Sequence, residues 1–500
     1  MPTTYFDDVS HRRRPHTATT IRLPSIDVVG ADKRGTPGWW AARLIAQVEH
    51  QSRQANAWWD WYEGLHPLPW LSEAELVEQF MELQRIARTN FTGLVVDAVE
   101  ERLNIKGFRV GADAPIGDAE IWDIWNRNEM DAGSRCAHLA SFVTSRAYSM
   151  VWIDDNDRVR TSVEDGFNVA VQPDGLEVAA AVKVWHDEIA GLDRVELHLL
   201  DGLYRFARAE SATGLAGGKY EPDTDAKAGE FTPLPDRFRA WRRDGVVPIT
   251  PIAVRPGRRI GTWRNELDDA VDVQARINQT VFDRLVGQQY SSFQQVVATG
   301  VEMVEDANGQ PINPFKHTPG RAWAVPEPDA KIVTIPPADV APILAAVEAD
   351  VTMLANITKT PPYYLDAKGR YPSGDAIKGA DAGLVRKAQR RASVAETGWT
   401  RTARHMLAAL GRATDADLGA VEVIWGDFEV RTEGELVDGL LKMNTLGVPK
   451  EKLWERWGAS QIEIAQWRQR SDEDALLEFA RGIPDAPAAT SQPATLNAGG

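Results

Sequence analysis

The sequence predicts an α+β protein of several subdomains, and three observations lead there. Apolar residues recur at helical spacing through residues 37–148 and again through most of 265–482. Short alternating segments crowd residues 149–209. In the centre, a Pro/Gly-punctuated insert separates two apolar-striped helical runs. At 500 residues the chain exceeds what one compact core usually holds, so two to four subdomains are expected.

Residues 1–37 read as an extended, polar N-terminal arm carrying Arg12, Arg13 and Arg14. No apolar stretch follows the arginines, so they do not introduce a signal peptide. A partner-binding arm and a solvated tail both remain open. From Pro37 a helix with Trp39, Trp40, Ile45, Val48, Trp58, Trp59 and Trp61 runs to a break at Tyr62-Glu63-Gly64-Leu65-His66-Pro67-Leu68-Pro69-Trp70. Ser72 with Glu75 forms a capping box for a helix over 72–89. Asn90 opens another, whose Phe91, Leu94, Val95, Ala98 and Val99 share one arc. Arg102 falls inside that arc and must be paired or reach the rim.

Gly107 and Phe108 begin an extended stretch. Helices are expected at 119–128 and 130–148, the second holding Cys136 as a buried, inert thiol. Strands are expected at 149–153, 168–172, 179–186, 194–200 and 204–209, as an antiparallel meander. Residues 211–236 read as a loop, and Val246 to Val254 as a strand. After the centre come a long helix (373–410), a strand (421–430), helices at 433–446, 450–457 and 462–481, and an Ala/Pro-rich tail over 483–500.

The composition excludes several classes of function. A net charge of −16 disfavours a protein that grips nucleic acid by neutralising phosphates. One cysteine allows neither an intrachain disulfide nor a CxxC site and fits a reducing origin. No apolar run reaches the ~20 residues that span a bilayer, so no membrane partner is expected. Asp154-Asp155-Asn156-Asp157 fails the EF-hand pattern, because Arg160 and Gly166 stand where Gly and Glu are required; a hairpin turn is the better reading. Gly214 to Tyr220 fails the phosphate-loop pattern, with three residues rather than four between its glycines and Tyr220 after Lys219. The nine histidines show no HxH or HExxH spacing. No cofactor, metal or catalytic group is therefore expected.

The central stretch has two striped helices. Over 265–289 the stripe is Leu267, Val271, Ile277, Val281 and Leu285; over 338–358 it is Val340, Ile343, Leu344, Val347, Val351, Leu354 and Ile357. The first would be roughly 37 Å long. Both stripes are open to packing within a subunit or between subunits. The insert 290–337 has strand-like segments at 293–298, 300–304, 322–325 and 331–335, with a turn signal at Asn308-Gly309. The connection 359–372 carries Lys359, Asp366, Lys368 and Arg370 with Tyr363, Tyr364 and Tyr371. The basic run Arg386, Lys387, Arg390, Arg391, Arg401 and Arg404 reads as a solvated face or a subunit interface.

Over roughly residues 38–480 the chain resembles bacteriophage portal proteins of the siphophage type. The residues that carry this are Tyr62, Gly64, Pro67, Leu68 and Pro69, then Asn90, Val95, Val96, Asp97, Glu101, Arg102, Leu103, Gly107 and Phe108, then Ile124, Trp125 and Asn128. Further on, Asn278, Pro362, Leu365, Ser373, Gly374, Ala376 and Ile377 continue the pattern. The resemblance implies a portal-type fold with a helical stem, small β clip, α+β wing and helical crown, assembled as a ring, in outline a homododecamer. The implied division is an N-terminal arm (1–37), wing (38–264 and 373–432), stem (265–289 and 338–358), clip (290–337), tunnel loop (359–372), crown (433–482) and tail (483–500).

It further implies a virion protein made in the host cytoplasm and placed at one capsid vertex. Double-stranded DNA would pass through it non-specifically, at packaging and at ejection. The terminase large subunit, a head-tail adaptor, and the major capsid or scaffolding protein are the implied partners. Lys359, Tyr363, Asp366, Lys368, Arg370 and Tyr371 become candidates for contact with DNA. A ring- or lattice-forming virion scaffold without DNA conduction is the competing reading, followed by an enzyme whose site assembles only in three dimensions.

Overall fold

In the computed structural model, the described residues are 27–71, 77–111, 114, 117–175, 177–189, 192–209, 221–222, 246–259, 261–292, 296–299, 331–334, 339–365, 374–412, 414, 421–429, 431 and 433–482. The architecture is mixed helix and sheet. Helix α1 (Pro37–Tyr62) starts where the Thr36 side chain accepts a hydrogen bond from Trp39 N and Pro37 occupies the first turn. It lies across a five-stranded antiparallel meander of β4 (Val169–Asp174), β5 (Glu177–Asp187), β6 (Leu192–Leu199), β7 (Gly202–Ala209) and β8 (Glu221–Pro222).

Alternation sorts the two faces of that sheet. Ala180 and Val182 pack with Leu44 and Ile45 of α1, while Ala181 points to the opposite face. There a second sheet, in the order β3 (Val159–Asp165), β2 (Ala147–Ile153), β9 (Ile249–Pro251), meets it through Met150 and Ile249.

The largest core gathers α3 (Phe91–Glu100), β1 (Ile105–Val110), α4 (Ala119–Arg127), α5 (Met130–Thr144), the long helix α9 (Gly374–Ala409) and β12 (Val421–Trp425). Trp125 is its centre, edge-on to Phe108 at 5.2 Å and to Trp399 at 5.4 Å. Trp399 Nε1 donates to His138 Nε2 at 2.9 Å. Several of the chain's 18 tryptophans thus fill this core. Strands β1 and β12 pair across more than 300 positions of sequence. Gly398 lets α9 touch β9, since a Cβ there would lie 2.6 Å from Pro251 O.

Several sequence expectations are corrected. The helix expected over 130–148 ends at Thr144, where Ser145 turns into the left-handed region (φ 63°), and Tyr148 belongs to β2. Cys136 is exposed, because the buried arc of α5 runs through Ser134, Ala137, His138 and Ser141. Leu94 is also exposed, its place in the core taken by Val96. Strand β3 was not anticipated; it pairs with β2 around the turn at 154–157, where Asp154 Oδ1 accepts from Asn156 N and Arg158 N. The expected strands 246–254 and 421–430 shorten to Ile249–Pro251 and Val421–Trp425. The capping box at Ser72, the loop 211–236, the turn Asn308-Gly309 and the strands 300–304 and 322–325 lie outside the described residues, apart from residues 221–222 in β8.

Candidate functional site

The central helices are α6 (Val271–Ser292) and α7 (Ala341–Thr358), packed side by side. A 3-10 turn, Leu267–Asp269, precedes α6 instead of the α-helix expected from 265, with Asp268 N donating to Asn265 Oδ1 at 2.8 Å. Beyond α6, β10 (Val296–Thr299) and β11 (Lys331–Thr334) pair antiparallel, holding the two ends of the insert together.

The two stripes have different fates. Leu267, Val271, Ile277 and Val281 are buried and Leu285 half-buried, all inside one subunit. Ile277, Val281 and Leu285 pack with Phe80 of α2 (Val77–Ile86), Val95 of α3 and Leu354 of α7, while Leu267 and Val271 join the largest core. On α7, Leu354 is buried and Val340, Val347 and Val351 are half-buried, but Leu344, Met353 and Ile357 are 44%, 46% and 47% exposed. Ala341, Ala345, Ala346 and Ala349 are exposed beside them. Thus Leu344 and Ile357, expected in that stripe, keep close to half of their surface exposed within the subunit.

Only 17% of α7 is buried, so by length and composition alone this helix could cross a membrane, although no uncharged run in it reaches ~20 residues. Glu348 and Asp350 stand on it, and Asp350 is paired with Arg276 of α6 at 2.7 Å. Carboxylates are costly in a bilayer, so a protein contact is the better account of this face.

Two polar junctions fix the pair to the rest of the chain. At the first, Glu266 accepts Lys387 Nζ at 2.8 Å and Arg391 Nε at 3.0 Å, and Lys387 also donates to Thr358 O at 2.8 Å. The start of α6, the end of α7 and the long helix α9 therefore meet at one buried cluster, with Glu266 and Lys387 each 5% exposed. Burial opposes ionisation of Glu266, but Lys387 and Arg391 together outweigh it and hold the carboxyl below its usual range. Lys387 and Arg391 are thus partners of a buried carboxylate and not part of the expected solvated or interfacial face. The missed signal is that both fall at helical spacing with the core residues Leu384, Ala388 and Ala395. Their acidic partner lies too far away in sequence to be named from spacing.

At the second junction Asn278 Oδ1 accepts from Thr89 N at 3.0 Å and from Gln274 Nε2 at 2.8 Å. Its Nδ2 lies 3.0 Å from His66 Nδ1. His66 Nε2 in turn lies 3.0 Å from both Trp61 O and Thr92 Oγ1. Burial lowers the His66 pKa to about 4, so the ring is neutral at pH 7. The Tyr62–Pro69 motif and the Asn90 motif converge here: Asn90 Nδ2 donates to Tyr62 O at 2.9 Å, and Gly64, at φ 80°, packs on Asn90. These residues form a clamp on α6 rather than a ligand site.

The connection after α7 begins with Lys359, exposed and in the left-handed region (φ 57°). A short helix, α8 (Pro362–Leu365), follows. Tyr363 donates its hydroxyl to Asp381 and Tyr364 donates to Glu101. Burial and the Asp381 carboxylate both raise the Tyr363 pKa, so its phenol stays protonated. Arg102, buried as its position demanded, reaches Asp381 at 3.5 Å and Phe428 O at 3.0 Å. Asp366, Lys368, Arg370 and Tyr371 lie outside the described residues.

At the C-terminal end, α10 (Glu433–Thr445), α11 (Lys450–Trp457) and α12 (Gln461–Gly482) connect to the body in part through Arg109. Its guanidinium binds Glu422 and, at 2.7 Å, Glu455. No side chain of α10 is buried, and Leu441 and the neighbouring Leu446 are exposed. Among the described residues, no group of three or more His, Cys, Asp or Glu side chains is placed to hold a metal.

Comparison with known proteins gives this arrangement its context. The family profile described as "Phage portal protein, SPP1 Gp6-like" matches residues 41–475. The chain belongs to that family. The portal protein of Mycobacterium phage D29 is 23% identical over 469 residues, covering 90% of this chain and 91% of the relative. The portal protein of Mycobacterium phage L5 is 23% identical over 454 residues, covering 83% and 88%. As a phage portal protein, the chain is a component of the capsid and serves genome packaging. The portal family is structural rather than catalytic.

Proposed function

We propose that this portal protein assembles as a closed homo-oligomeric ring, a dodecamer, whose central channel conducts double-stranded DNA at packaging and ejection. The observation that carries the reading is the uncovered face of α7. Helix α6 is covered by its own subunit, whereas α7 exposes Ala341, Ala345, Ala346, Ala349, Met353 and Ile357 as one face without charge. Small residues permit close helix approach, and a neighbouring subunit would cover this face. The exposed Leu441 on α10 and Leu446 just after it give the C-terminal helices a second such surface.

In this reading 265–289 and 338–358 form the stem, 290–337 the clip, 38–264 with 373–432 the wing, and 433–482 the crown. The connection 359–372 projects into the channel, with Lys359, Lys368 and Arg370 near the duplex backbone and Tyr363 serving as anchor. The clip receives the terminase large subunit and later the head-tail adaptor, while the wing faces the capsid or scaffolding protein. The subunits are made in the host cytoplasm. Conduction is passive: wall carboxylates repel phosphates, so the duplex is not trapped at any level, and charges beyond ~8 Å from it are screened. The chain itself is no enzyme, and the ATP-driven work belongs to the terminase. Ala349→Glu tests the ring directly. Native mass spectrometry should show dissociated subunits and circular dichroism an unchanged helix content; a ring of wild-type mass would overturn the α7 interface.

A further inference from the structure

A cavity of about 310 Å³ lies where α1, the start of β2 and the long helix α9 meet. Two cations line it, Arg146 and Arg401, against one carboxylate, Glu177. The Glu177 side chain is 77% exposed and lies 3.5 Å from Arg401, so that pair is loose and open to water. Arg146 is half-buried, and among the described residues it has no carboxylate partner. Its guanidinium donates to Gln54 Oε1 at 3.2 Å, and its stem lies against Gly166. The neighbouring Asp165 is engaged elsewhere, accepting from Phe167 N at 2.8 Å. Burial lowers the Arg146 pKa, and no carboxylate opposes that shift. A desolvated guanidinium with five donors and one amide partner favours an oxyanion beside it.

The rim adds more positive charge. Pro256 pairs with Trp263, which puts Arg258 and Arg259 at the tip of a loop whose Thr262 and Trp263 line the cavity. Arg390 stands on the same face of α9 as Val394 of the lining, one turn earlier. Arg258, Arg259 and Arg390 are exposed, and among the described residues none of the three has an ion-pair partner. A chain of net charge −16 thus gathers five arginines around one cavity. The walls between them are apolar, with Val171, Val178, Ile252 and Val394. A duplex phosphate is fixed flush to its own backbone and brings no apolar surface to such walls. A glutamate carboxylate enters on two methylenes, with apolar neighbours to follow it, and a guanidinium binds it in one plane. We propose that this cavity and its arginine rim form the docking site for an acidic segment of a partner protein, one carboxylate of which reaches Arg146. Arg258, Arg259 and Arg390 then meet further carboxylates of the same segment.

Fluorescence anisotropy with the full-length chain at physiological ionic strength tests this, using a fluorescein-labelled peptide of alternating leucine and glutamate as the probe. The peptide should bind at least tenfold more tightly than its leucine–glutamine counterpart. Arg146→Gln should weaken binding at least tenfold, and Arg258→Gln with Arg259→Gln about threefold. Thr397→Trp, at an exposed position of the lining, fills the cavity without touching Arg146 and should also weaken binding at least tenfold, so the outcome does not hang on how one variant folds. Absent binding, or binding indifferent to both Arg146→Gln and Thr397→Trp, would overturn the assignment. Displacement of the peptide by a short DNA duplex at lower concentration than by unlabelled peptide would give the surface to nucleic acid and overturn it equally.

Discussion

Replacing Glu266 with Gln removes the carboxylate that holds Lys387 and Arg391 at the meeting point of α6, α7 and α9. Lys387 is 5% exposed and would keep its bond to Thr358 O at 2.8 Å, with at most a neutral amide oxygen in place of the carboxylate. Breaking one side of a buried ion pair costs about 3–5 kcal/mol, because the remaining charge stays desolvated. Hydrogen exchange with mass readout suits an oligomer, in which a single unfolding free energy is ill-defined. At ~1.4 kcal/mol per tenfold, protection in 271–282 and 384–392 should fall by a factor on the order of 100 or more. Removing the most buried cation as well, Glu266→Gln with Lys387→Met, should restore much of it, since only Arg391, whose side chain is 15% exposed, is then left without its anion. The triad also fixes a pH dependence. Glu266 has a depressed folded pKa, so its contribution is present above the unfolded value near ~4.3 and is lost as pH falls below it. Protection within a factor of three of wild type in Glu266→Gln would refute the role of this cluster.

Further consequences concern the clamp, two buried histidines and the connection after α7. Asn278→Ala leaves Gln274, Thr89 N and His66 short of partners and should cost about 1–3 kcal/mol, read as a lower Tm. Burial lowers the His66 pKa to about 4 and the His138 pKa to about 3. The unfolded chain therefore takes up protons first as pH falls below ~6.5, and Tm should drop between pH 6.5 and 4, less steeply in His66→Gln. Lys368→Glu with Arg370→Glu should change DNA packaging or retention while leaving subunit assembly intact; unchanged packaging would remove both from the list of DNA contacts.

Much of the fold was legible because its signals are local. Helix starts at Pro37, Asn90 and Ala119 stand close to where the local pattern puts them, and the meander of β4 to β7 follows from alternation and polar turns. Arg102 was legible as a charge in an apolar arc, although its partner Asp381 was not. What stayed hidden depends on long-range pairing: β1 with β12, Glu266 with Lys387, His66 with Asn278. Cys136 was misplaced because α5 buries His138 and Ser141, polar residues that a hydrophobic stripe does not count. The α7 stripe left its partner open, because apolar periodicity marks a face to be covered without saying by which chain. Leu354 is covered by its own subunit, and Ile357 is not.

The central claim is that the uncovered face of α7 closes a ring, and imaging the purified full-length chain by electron microscopy tests it most directly. The account predicts end-on views of a closed ring with an axial hole wide enough for a DNA duplex, about 20 Å, with α7 against a neighbouring subunit. A monodisperse monomer, or an open lattice with no axial channel, would contradict it.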